Sequence, residues 1–180
     1  MSGKKLTVRD LCYCAVGAAL LAVCAWLSIP FTIPFTLQSF GVCLIAALLG
    51  LRRGTLSVLI YILLGAAGLP VFSGFRAGLG ALLGVTGGYL FGYLLTTPVV
   101  AYAAERFPGR VLPLASGMLL GMLLCYVCGT AWFMIVYTRS SGAIGVLRAL
   151  NLCVFPFLLP DALKCALALF LALRLRPHIR

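Results

Sequence analysis

Asp161 is one of three acidic residues in a chain of 180, and the only one set within an otherwise apolar run. Lys164 follows three positions later, which places both side chains on one face of a helix. An ionisable group inside a membrane span costs at least about 2.5 kcal/mol on lenient insertion scales, so it faces a partner, a cavity or a ligand. The chemistry such a pair offers is recognition: a carboxylate accepts N–H donors and an ammonium donates to a carbonyl. The alternative is a structural ion pair closing on itself. A buried pair is often no better for stability than an apolar replacement, which favours the ligand-binding reading.

The surrounding composition sets the class. Hydrophobic residues make up 63% of the chain and charged residues 9%, with a mean hydropathy of +1.16; soluble domains carry about 25% charged residues. This is the composition of an integral membrane protein, organised as a single transmembrane domain over residues 1–180. The net charge of +11 could point to nucleic acid, but the cations concentrate where short loops on one side of a membrane would lie. The eight cysteines are dispersed through the apolar runs. Cys125 and Cys128 form a CxxC without a second such motif, and the lone His178 lies in the C-terminal tail, so neither a metal site nor a resident cofactor is expected. Lys4, Lys5 and Arg9 precede a run that continues to Ile29 without a convincing cleavage site, which reads as an uncleaved first helix.

Apolar segments predict an all-α architecture of six transmembrane helices at 10–29, 37–51, 54–69, 79–104, 112–138 and 154–174. With both termini inside, the inner side carries Lys4, Lys5, Arg9, Arg52, Arg53, Arg106, Arg110, Arg174, Arg176 and Arg180. The outer side carries Arg76, Arg139 and Arg148, and Lys164 is left within the membrane. That asymmetry fits N-in, C-in. Two outer connections, 29–38 with its two prolines and 68–78, are uncharged or nearly so. They are expected to fold back as lids over an outward-opening pocket, since irregular backbone at membrane depth lines a cavity or is buried in protein; tight turns at the headgroup level are the alternative. Gly84, Gly87, Gly88 and Gly92 allow either a ligand or another helix to approach closely. Pro156 and Pro160 are expected to bend or unwind the start of the last span.

Four motifs in order carry a family resemblance that covers most of the chain. They are the double-proline run into Thr36-Leu37-Gln38-Ser39-Phe40, the stretch Leu64 to Gly74, the Thr86-Gly87-Gly88-Tyr89 block, and Pro156-Phe157 with Pro160-Asp161 and Lys164. Together they resemble the BioY family of biotin transporters, substrate-binding S components of energy-coupling factor (ECF) transporters. The chain departs from the family pattern at Val85, where a proline is usual, and at Pro160, where a glycine is frequent. The resemblance implies an S-component fold in the cell membrane that captures biotin with high affinity from outside. It implies ligand contacts at Asp161 and Lys164 and, more loosely, at Gln38, Gly74, Gly87 and Tyr89. Arg76 is the candidate for the valerate carboxylate, with a merely solvated outer cation as its alternative.

No G-x-x-x-x-G-K-[ST] phosphate loop is present, so ATP hydrolysis must come from partners. The resemblance implies an energising module of one membrane coupling subunit and two ATPases, docked by small residues of the first helix. Ala15 and Ala19 form one A-x-x-x-A face and Ala18 and Ala22 a second; intramolecular packing is the alternative for both. Rival functions are an S component for another vitamin, such as thiamin or riboflavin, a partner-only scaffold, and an intramembrane enzyme. The enzyme lacks a nucleophile–base pair or a metal set within the membrane, so the chain is expected to be a transporter subunit.

Overall fold

The computed structural model describes residues 6–30, 33–142 and 144–179. Lys4, Lys5, Phe31, Thr32 and Arg180, and the side chain of His178, lie outside the described residues. The fold is all-helical apart from one short hairpin. Its elements are α1 (Val8–Trp26), β1 (Ser28–Ile29), β2 (Phe35–Thr36), α2 (Gln38–Ala66), a 3-10 turn (Ser73–Phe75), α3 (Gly78–Leu82), α4 (Gly87–Arg106), α5 (Val111–Ser141), α6 (Val146–Cys153) and α7 (Phe155–Ile179). Among the described residues, four helical stretches are long and apolar enough to cross a membrane: Val8–Trp26, Gln38–Ala66, Val111–Arg139 and Val146–Pro177.

α1 starts at a capping box in which Thr7 and Asp10 satisfy each other's backbone N–H groups, occupying donors that a helix start leaves orphaned. Asp10 Oδ1 also pairs with Arg53 at 2.6 Å, tying α1 to α2.

α2 is not a straight rod. Gly50 has φ +78° and ψ −174°, a conformation that L side chains rarely adopt. A Cβ at Gly54 would stand 3.3 Å from the Ala46 Cα, whereas eight residues of straight helix span about 12 Å. Gln38 Nε2 bonds the Tyr61 hydroxyl at 2.7 Å, although 23 residues of straight helix would separate them by about 35 Å. The helix therefore doubles back at Gly50, and its limbs correspond to the segments expected at 37–51 and 54–69. Glu105 Oε1 accepts from Leu51 N at 3.0 Å, satisfying one of the donors exposed where the second limb begins.

The fourth expected span, 79–104, is corrected: it divides into α3 and α4, with a turn through Gly84 between them. Gly92 of α4 and Gly121 of α5 serve close helix packing. A Cβ at Gly92 would lie 2.9 Å from the Cys125 Cα, and one at Gly121 2.7 Å from Thr96 Cγ2, so α4 and α5 approach almost backbone to backbone. Thr96 Oγ1 reaches the Gly121 carbonyl at 2.7 Å.

The bending or unwinding expected at the start of the last span is found at its first residue, ahead of the two prolines. α7 runs helically through Pro156 and Pro160, and the break falls at Val154 (φ −126°, ψ −60°), where α6 ends. Pro156 sits in the first turn of α7, where a missing N–H costs nothing. α6 itself was not foreseen. Arg176, counted above among loop cations, is buried and donates to the Ala104 carbonyl, capping the end of α4.

A candidate ligand site around Asp161 and Lys164

The start of α7 delivers Asp161 and Lys164 into the interior, where both are buried. Lys164 Nζ lies 2.9 Å from Asp161 Oδ1. It also donates to the Thr36 carbonyl at 2.6 Å and sits 3.8 Å from the centroid of the Phe35 ring, a cation–π contact. An ammonium has three N–H groups, and these three contacts account for them. Asp161 accepts two further hydrogen bonds, from Ser39 Oγ to Oδ1 at 2.8 Å and from the Tyr126 hydroxyl to Oδ2 at 2.6 Å. Both charges are thus partnered, Lys164 on all three N–H groups and Asp161 on both oxygens, as buried charge requires.

Asp161 and Lys164 line a cavity with about 70 Å³ open to the centre of a water-sized sphere, several times what one water needs. The connections 29–38 and 68–78 both contribute to its wall. The first folds into the β1–β2 hairpin, with Ser28 opposite Thr36 and Ile29 opposite Phe35, and supplies Ile33, Pro34 and Thr36. The second turns at Gly74, at φ +69°, and is closed by a backbone hydrogen bond from Phe72 N to Arg76 O at 3.1 Å. It supplies Phe72, Ser73 and Arg76. Trp26 holds this second segment from outside, donating Nε1 to the Pro70 carbonyl at 2.8 Å and stacking on Phe75 at 5.2 Å between ring centroids.

The structure brings together most of the expected site residues. Gln38, Tyr89 and Arg76 line the same cavity as Asp161 and Lys164, with Gln38 held by Tyr61 and Thr36, and Tyr89 donating to the Cys153 carbonyl at 3.3 Å. Gly74 and Gly87 do not line it. Gly74 shapes the turn that presents Arg76, and a Cβ at Gly87 would strike the Leu82 carbonyl, so that glycine serves the α3–α4 corner. Ser39, Thr36 and Tyr126 were missed as site residues. For Tyr126 a signal existed: it is the middle residue of α5, whereas tyrosines of membrane helices gather at the interfaces.

Of the small residues on α1, Ala15 and Ala19 are exposed, while Ala18 and Ala22 are 4% and 6% exposed within the core. Ala18 and Ala22 are thus packed inside the chain, as the alternative reading of that face has it. Cys125 and Cys128 are free thiols, and Cys125 packs against the Tyr89 carbonyl.

The profile of the BioY family matches residues 1–180. This chain belongs to the BioY family. The Biotin transporter BioY of Thermotoga maritima is 40% identical over 170 residues, covering 94% of this chain and 96% of that protein. The Probable biotin transporter BioY of Pyrococcus horikoshii is 37% identical, covering 95% and 98%. Among solved structures, the S-component for biotin from an ECF-type ABC transporter matches with a TM-score of 0.84 at 27% identity, over 96% of this BioY-family chain and 95% of that one.

Proposed function

We propose that this chain captures biotin from outside the cell and serves its uptake across the cytoplasmic membrane as the substrate-binding S component of an ECF-type transporter. The observation that carries the reading is the buried Asp161–Lys164 pair exposed to an internal cavity, in a chain of this family. A ureido ring presents two N–H donors and one carbonyl acceptor, matching a carboxylate and an ammonium placed side by side. Phe72, Leu90 and Phe157 of the same wall suit an apolar thiophane ring. Arg76, exposed yet lining the cavity, meets the valerate carboxylate; Gln38 and Tyr89 complete the polar contacts.

α1, the two limbs of α2, α4, α5 and α7 supply six crossings. The asymmetry of arginine and lysine supports N-in, C-in, with the hairpin and the Gly74 turn as outer lids. Energy comes from a partner module of one membrane coupling subunit and two ATPases, which docks on the Ala15–Ala19 face.

Equilibrium binding of biotin to the detergent-purified chain tests the reading, beside Asp161→Asn and Lys164→Ala variants with verified folding. Tight binding by wild type, weakened at least about 100-fold in each variant, is expected, because losing one partner leaves the other charge buried and unpaired. No binding by folded wild type would overturn it, and binding that survives both changes would return the pair to a structural role.

A further inference from the structure

A carboxylate offers about four lone-pair positions. In Asp161, Oδ1 receives both Ser39 Oγ, at 2.8 Å, and Lys164 Nζ, at 2.9 Å, so its two positions are filled. Oδ2 receives the Tyr126 hydroxyl at 2.6 Å and keeps one. The remaining position on Oδ2 is then where a donor in the cavity can be accepted. Tyr126 also has a second neighbourhood. It lines, together with Met122 and Asp161, a separate crevice of about 150 Å³ between α5 and α7, bordered by Leu119, Leu123 and Leu158, which are 62%, 58% and 48% exposed. Tyr126 and Asp161 thus border both the internal cavity and this crevice.

The geometry points to Tyr126 and Ser39 as positioning residues: bound to opposite oxygens of Asp161, they fix the plane of the carboxylate so that a single ureido N–H of the ligand meets Oδ2, beside the Tyr126 hydroxyl. This rests on the biotin reading above and sharpens it, because it assigns one N–H, not both, to Asp161. Without the phenol, only the contacts to Oδ1 restrain rotation of the carboxylate, and the ligand must order it on binding. Tyr126→Phe keeps the ring in the wall and removes only the hydroxyl.

The test compares biotin with two cyclic carbamate analogues, in each of which a ring oxygen replaces one of the two ureido N–H groups. Their affinities are measured by competition against labelled biotin on purified wild type and Tyr126→Phe. The variant should lose about tenfold for biotin and for the carbamate that retains the N–H facing Oδ2, and nothing for the other. An equal loss for all three ligands would mark a merely structural tyrosine and overturn the inference, as would biotin affinity within twofold of wild type. Should Tyr126→Phe fail to fold, Ser39→Ala carries the same three-ligand comparison with the same outcomes. Folded wild type that binds no biotin would overturn the underlying reading, and this inference with it; a flat ligand profile on a wild type that does bind biotin overturns this inference alone.

Discussion

Arg76 approaches the cavity from an exposed turn, and its exposure limits what it contributes. Ion pairs open to solvent are worth about 0.2–1 kcal/mol, roughly fivefold in affinity at most. Arg76→Ala should therefore weaken biotin binding by about fivefold or less and leave the affinity for biotin amide, which has no carboxylate, unchanged; titrations with both ligands check this. Equal losses for acid and amide would remove Arg76 from the valerate contact. The contrast with Asp161 and Lys164 explains what was legible at this scale. A charge inside an apolar run is visible in a sequence because it breaks the pattern, whereas hydroxyls such as Ser39 are compatible with any membrane helix. That Ser39 and Asp161, 122 positions apart, share a hydrogen bond depends on α2 folding back against α7, and no local spacing encodes it.

Among the elements, the α4–α5 pair depends on missing side chains. A Cβ at Gly92 meets the Cys125 backbone at 2.9 Å, while one at Gly80 meets nothing within 4 Å. Gly92→Val should lower the thermal midpoint of the detergent-solubilised chain by an amount in keeping with overpacking, about 1–3 kcal/mol, and Gly80→Ala should leave it essentially unchanged. A Gly92→Val midpoint equal to wild type would mean that the two helices can separate at little cost. The reversal in α2 was readable because Gly50 precedes Arg52-Arg53, a cationic pair that ends an apolar run. The division of the 79–104 segment was not, since its apolar run continues through Gly84. Nor was the survival of helix through Pro160. A proline signals the loss of one hydrogen bond, but only the break already placed at Val154 shows why none further on was needed.

For the molecule as a whole, exposure separates the two candidate docking faces that sequence spacing left equivalent. Ala15 and Ala19 look outward from α1, while Ala18 and Ala22 are packed inside. Ala15→Leu with Ala19→Leu should reduce co-purification of the energising module at least tenfold and leave biotin affinity within twofold of wild type. Ala18→Leu with Ala22→Leu should instead lower folded yield and binding together, because the added volume has no free space in the core. Unchanged co-purification in the Ala15/Ala19 variant would assign docking to another surface.

Lys164 donates to the Thr36 carbonyl, so one N–H serves both the first hairpin and the site. A cargo carbonyl that recruits this donor must compete with a rival acceptor tethered by the same chain, and success gives up one hydrogen bond between β2 and α7 while the Phe35 ring keeps its contacts with Lys164 and Phe157. Cargo binding at Lys164 and the hold of this hydrogen bond on the hairpin are then reciprocal: if cargo weakens that hold by some factor, anything that weakens it raises cargo affinity by that factor.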